Sequence, residues 1–194
     1  MRYRLAVLML LAMLSKTHVL AAPVPNPAPD PYAILEIGPP PEGWTAEQNL
    51  NNQIKFMTAL DILDKVHSNP EVKKLPLVAS MKLKDISPWL AKNVRVTPEE
   101  GSRRLRFTFR AGKRPDQVTI INALLGVNLS GKWEFIESHE KKLRRCEHLI
   151  STLESRNTTD NDRETIHGLR TIEIPGLHAE IARLKQTKVI RWAK

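Results

Sequence analysis

The stretch RRLRFTFRAGKRPDQVTIINALLGVNL, Arg103 to Leu129, constrains this chain more than any other. Leu105, Phe107 and Phe109 alternate with Arg104, Arg106, Thr108 and Arg110, and in a strand alternate side chains point to opposite faces. One face is therefore apolar and the other basic. Gly112 marks a turn, and Pro115 suits the first turn of a helix. From there Val118, Ile121, Ala123, Leu124, Leu125 and Leu129 form a broad apolar helical face. A strand with one dry face that turns at once into such a helix requires a layer of helix on sheet.

The upstream chain supplies more of both layers. YAILEIGPPP alternates over Tyr32 to Ile37 and stops at prolines, which reads as a strand. Thr45 followed by Gln48 fits a capping box, and Leu50, Ile54, Met57, Leu60 and Leu63 recur at helical spacing as far as Val66. A short helix is expected from Pro70, closed before Pro76, and another opened by Ser87 and Pro88. NVRV, ending at Thr97-Pro98, reads as a short strand. The expectation is an α/β (α+β) fold: a small mixed sheet, with one strand from the start and two from the middle, and helices packed on it.

Beyond Gly131 the pattern changes. Trp133, Ile136, Leu143, Cys146, Ile150 and Leu153 keep a 3/4 rhythm between charged residues. ESRNTTDND interrupts it with turn and cap residues, and Ile166, Leu169, Ile172, Leu177, Ile181 and Leu184 resume it. Two amphipathic helices joined by a polar turn make a long antiparallel helical hairpin, with Pro175-Gly176 expected to kink the second arm. The chain thus divides into 1–22, a signal peptide or membrane anchor; 23–31, a proline-rich spacer; 32–130, the α/β unit; and 131–194, the hairpin.

The first segment bears on location. Arg2 and Arg4 precede an apolar run from Leu5 to Leu14, and VLAA follows at Val19 to Ala22. A basic start, a short apolar stretch and small residues read as an export signal, cleaved after Ala21. The alternative is a retained anchor. Leu5 to Ala22 would span about 27 Å as a helix against a hydrocarbon core of about 30 Å, with Lys16 and His18 opposing burial. Either way the remainder is expected to be extracytoplasmic, periplasmic in a cell with two membranes. APVPNPAPDP should be an extended spacer.

A net charge of +9 favours anionic partners. Cys146 is the only cysteine, which excludes an intrachain disulfide and a cysteine metal cluster. His67, His139, His148, His167 and His178 have no partner at ligand spacing, so no metal is expected. No paired carboxylates, phosphate-binding glycine loop or G-x-S-x-G elbow are present. No catalytic residue and no cofactor site are therefore assigned. The candidate surface is the basic strand face: Arg104, Arg106 and Arg110, extended by Lys113 and Arg114. It is either a contact for a glycan, a lipid phosphate or an acidic subunit, or the wet side of a sheet. Nucleic acid is disfavoured, because the glycines of an RNA-binding strand are missing and Phe107 and Phe109 share their face with Leu105. Asn122 is either a buried polar determinant or an amide bonding a loop carbonyl. Asn128-Leu129-Ser130 and Asn157-Thr158-Thr159 match glycosylation sequons.

The order of these pieces resembles the periplasmic region of polysaccharide chain-length determinants, the polysaccharide co-polymerases of lipopolysaccharide and exopolysaccharide assembly. The likeness lies in YAILEIGPPP, NNQIKFMTALDILDKV, Trp89-Leu90 with Val94 and Val96, and LRFTFRAGKRPDQVTIINALLGVNL with Pro115, Ile121, Asn122, Ala123 and Leu124 in place. It covers about Pro31 to Trp192, and P…IINALL is its most specific part. The resemblance implies a non-enzymatic scaffold that associates with copies of itself beside a polysaccharide polymerase or its glycan, attached to the membrane through the N-terminal segment if that is uncleaved. Family members carry a second membrane helix after the hairpin, where this sequence reads VIRWAK. The alternative is a secreted basic adaptor for an anionic glycan or lipid surface.

Overall fold

The structure, a computed structural model, describes residues 29–156 and 159–194. The signal or anchor segment and most of the proline-rich spacer lie outside the described residues, as do the first two positions of the 157–159 sequon. Among the described residues no helix is long and apolar enough to cross a membrane.

The sheet has four strands: β1 (Tyr32–Glu36), β2 (Val94–Pro98), β3 (Arg104–Phe109) and β4 (Lys188–Arg191), in the order β2-β3-β1-β4. Every pairing is antiparallel, so the sheet is not mixed. The register sets Leu35 opposite Leu105, and Phe107 opposite both Ala33 and Val96, which gathers the alternating apolar positions on one face. That face is dry: Ala33, Leu35, Leu105 and Phe107 are buried, together with Val94, Val96 and Phe109. Arg104, Arg106 and Arg110 are exposed on the other side.

Five helices lie between β1 and β2. α1 (Ala46–Met57) begins with the expected capping box: the Gln48 amide N–H donates to Thr45 Oγ1, and the Thr45 N–H to Gln48 Oε1 at 2.8 Å. The single helix expected as far as Val66 is two. Thr58 Oγ1 donates to the Ile54 carbonyl at 2.8 Å, Ala59 turns extended, and α2 (Leu60–Ser68) starts afresh. A Thr hydroxyl that bonds back to the preceding turn competes with helix continuity. The break lets Ile62, Leu63 and Val66 reach the core. α3 (Pro70–Lys73) and α4 (Pro76–Ala79) are single turns with proline at the start.

α5 (Leu83–Asn93) corrects a second expectation. It does not open at Ser87-Pro88 but a turn earlier, with Pro88 inside it at an exposed position. Burial of Ile86 and Ser87 holds this first turn, and Ser87 Oγ donates to the Asp64 carboxylate on α2. Further on, Trp89 meets Phe109 edge-on, with centroids 5.3 Å apart.

Gly112, with a φ of 78°, turns β3 into α6 (Arg114–Glu154), where the Lys113 N–H is capped by Asp116 Oδ2. α6 is one helix of 41 residues, about 60 Å long at 1.5 Å per residue, and it runs through Gly131 without a break. The boundary read at 130/131 therefore falls inside a helix. Its first half presents Ile120, Ile121, Leu124 and Leu125 to the sheet, and its second half Ile136, Cys146 and Ile150 to the returning arm.

That arm is α7 (Asp160–Gly168), a π-helical turn (Leu169–Glu173) and α8 (Ile174–Lys185). The irregularity expected at Pro175 takes the form of the π turn directly before it. Proline lacks the N–H and crowds the carbonyl four residues back, and a widened turn relieves both. Ile166, Leu177 and Ile181 are buried as expected, but Ile172 in the π turn is 74% exposed and Trp133 on α6 is 55% exposed. The fold class stands: a helix-covered sheet with a long antiparallel hairpin. The sequence reading missed β4, which pairs with β1 at the sheet edge after the hairpin returns.

Candidate functional site

The five basic residues do not form one free patch. Arg104 lies 3.7 Å from Glu36, and Arg103 3.5 Å from the same carboxylate. Arg106 is bonded to Glu99 at 2.9 Å and lies over the Tyr32 ring, whose other near cation is Arg191. Cross-strand pairing explains this: Glu36 faces Arg104 and Ile34 faces Arg106 in the register, so β1 lays an acid beside the arginines of β3. Among the described residues Arg110 and Lys113 carry no ion pair. Arg114 has turned away to a different task.

Arg114 gathers both described ends of the chain. Its guanidinium donates to the Pro29 carbonyl at 2.7 Å and to the Lys194 backbone oxygen at 3.0 Å. About two helical turns further along α6, Asn122 completes the clasp: Oδ1 accepts from the Ala193 N–H at 3.0 Å, and Nδ2 donates to the Ala193 carbonyl at 3.3 Å. The amide thus imitates a strand neighbour for the tail, and Ala193 is buried. Of the two readings of Asn122, the backbone-bonding one is present.

A cleft of about 240 Å³ opens between the end of β1, α1, the middle of α6 and α8. Leu35, Phe56, Met57, Leu129, Phe135 and Leu184 supply its apolar wall. Asn128 and Lys132, one helical turn apart on α6, and the Glu180–Arg183 pair on α8 supply the polar groups. Asn128 is 6% exposed; Nδ2 is spent on the Leu124 carbonyl at 2.8 Å, and Oδ1 meets no donor. That burial also removes Asn128 as a glycosylation acceptor. Lys132 Nζ donates to the Thr187 carbonyl at 2.9 Å and lies over the Trp133 ring, and burial lowers its pKa. The sequence reading missed this cleft, because its polar residues lie on two helices about 50 positions apart and no local spacing joins them.

Glu180 gives the cleft a pH dependence. Its side-chain bond from Arg183, Nε to Oε2 at 2.7 Å, holds its pKa below the ordinary carboxylate value, with burial opposing and the Arg183 charge adding to it. A depressed folded-state pKa contributes stability above the unfolded value, lost as pH falls through the folded one. Wild type should therefore exceed Glu180→Gln in thermal stability at pH 7 and lose that margin below about pH 4. Melting curves of both proteins at pH 7, 5 and 3 check this, and parallel curves would refute it.

The histidines remain scattered: among the described residues no group of three His, Cys, Asp or Glu side chains is placed to hold a metal. Cys146 is buried in the hairpin as a free thiol. Comparison of the chain with protein-family models, with curated proteins and with solved structures finds no match.

Proposed function

We propose that this chain is a non-enzymatic scaffold of the extracytoplasmic space, one that biases polysaccharide chain length beside a membrane polymerase. The observation that carries the reading is the clasp at Arg114, which brings Pro29 and Lys194 to one end of the molecule. The long helix starts at that same residue, so the hairpin tip stands about 60 Å from it. A module tethered through residue 29 would therefore hold its sheet close to the anchor and raise the hairpin away from the surface.

This arrangement suits a scaffold better than a soluble adaptor for acidic surfaces. Arg104 and Arg106, the centre of the basic face, already face Glu36 and Glu99, which leaves less charge for an external anion. Exposed apolar residues along the hairpin, among them Leu149 and Ile172, are available for side-by-side contact with further copies.

The test is genetic. Deletion of the gene should shift the length distribution of the cell's surface or secreted polysaccharide, read by gel electrophoresis, and the wild-type gene should restore it. A distribution unchanged by deletion would sink the reading.

A further inference from the structure

We propose that the cleft between β1, α1 and the helical hairpin is a binding site for a free medium-chain carboxylate, with preference for one that carries a hydroxyl near the carboxylate. The proposal is independent of the scaffold reading and rests on size, charge and one unsatisfied atom.

Size sets the class. A dry cavity of about 150 Å³ accommodates benzene, with six heavy atoms. At about 240 Å³ this cleft has room for about ten, the size of octanoate. The wall is right for an alkyl chain: Leu35, Met57 and Leu184 line it, together with Phe56 and Phe135, which are half-exposed. Two large aromatic side chains left open to water along an apolar cleft would be covered by such a ligand.

Charge sets the head group. The charged residues that line the cleft are Lys132, Glu180 and Arg183. Glu180 and Arg183 neutralise each other, so the surplus is the single ammonium of Lys132, which has no carboxylate partner among the described residues. Only one of its three donors is used, on the Thr187 carbonyl. A half-buried ammonium without an anion bears a desolvation cost that a carboxylate would relieve. One carboxylate matches one surplus charge.

Asn128 sets the finer preference. Its Oδ1 is the one buried side-chain nitrogen or oxygen among the described residues without a hydrogen-bond partner. Such an atom costs stability unless something donates to it. It lies one turn before Lys132 on the same face of α6, so the two Cβ atoms are about 5–6 Å apart. A hydroxyl two carbons from a carboxylate can donate to Oδ1, once the Asn128 amide turns that atom toward the cleft, while the flexible Lys132 side chain brings Nζ to the carboxylate.

The test uses the full chain and calorimetric titration with octanoate, 3-hydroxyoctanoate and methyl octanoate. Octanoate should bind, 3-hydroxyoctanoate about fivefold to tenfold more tightly, and the ester at least tenfold more weakly. The ester arm also separates a free acid from the esterified chain of a lipid. Lys132→Met should weaken both acids tenfold or more. Asn128→Leu should erase the preference, so that the two acids bind alike, and should melt at or above the wild-type temperature, since it removes an unsatisfied acceptor. Absence of binding at millimolar ligand, equal binding of ester and acid, or a Lys132→Met protein that binds like wild type would each overturn the proposal.

Discussion

Phe107→Ala should lower the unfolding free energy by about 3–5 kcal/mol, and Arg106→Ala by less than about 1 kcal/mol, although the two positions are adjacent. Phe107 has no exposed surface and sits mid-sheet, opposite Ala33 on β1 and Val96 on β2. Truncation there removes a large side chain from the contact between sheet and helices, and strands paired on both sides cannot collapse into the space. Arg106 is exposed, and its contacts with Glu99 and Tyr32 are surface contacts screened by water. For a domain of this size the Phe107 loss corresponds to a fall in Tm of about 6–20 °C. Urea unfolding of the two variants side by side is the measurement. Equal losses would mean that the strand carries its apolar face elsewhere.

The alternation that makes this prediction possible was legible because β3 is central. A strand with neighbours on both sides and helices on one face must show period two, and Leu105, Phe107 and Phe109 do. β4 has no such signature. It is an edge strand with Lys188, Ile190 and Arg191 exposed and only Val189 half-buried, so apolar patterning has little to select there. Its pairing is fixed instead by remote contacts: Lys132 to the Thr187 carbonyl, and Asn122 to Ala193. Contacts over 55 and 71 positions leave no local trace. The helix break at Thr58 and the early start of α5 escaped for a related reason. Apolar spacing continues smoothly through both places, and the outcome depends on a hydroxyl that turns back on its own helix and on a serine buried against α2.

The basic face shows the reverse case. Arg104 and Arg106 lie on the expected side of the sheet, yet the sequence does not reveal that Glu36 and Glu99 lie beside them, because strand register decides which acid meets which arginine. Arg114, counted with that face, belongs to the clasp instead.

Gly38→Ala should destabilise the protein by about 1–3 kcal/mol, and the loss should centre on the junction of β1, α1 and the returning hairpin. A Cβ at position 38 would lie 2.2 Å from the Arg183 carbonyl oxygen and 3.1 Å from its carbon. Both are backbone atoms of α8, so no side chain can swing aside, and the helix itself must shift. Gly38 also holds two other elements: its N–H donates to Thr187 Oγ1 at 3.0 Å, and its carbonyl accepts from Asn49 Nδ2 at 3.3 Å. A shift large enough to admit the methyl therefore strains the seat of α1 and the lead into β4 together. The general gain from replacing glycine, about 0.4–1 kcal/mol from a less flexible unfolded chain, is too small to offset this. Thr187→Val removes only the hydroxyl and should cost less, about 0.5–1.5 kcal/mol. Urea unfolding gives the totals, and amide hydrogen exchange at Val189 and Ile190 reports the local effect: faster exchange in Gly38→Ala than in wild type, while amides of Phe107 and Leu125 slow or quicken only with global stability. A Gly38→Ala protein as stable as wild type would mean that α8 does not pack against the end of β1, and the cleft those two elements enclose would have a different shape.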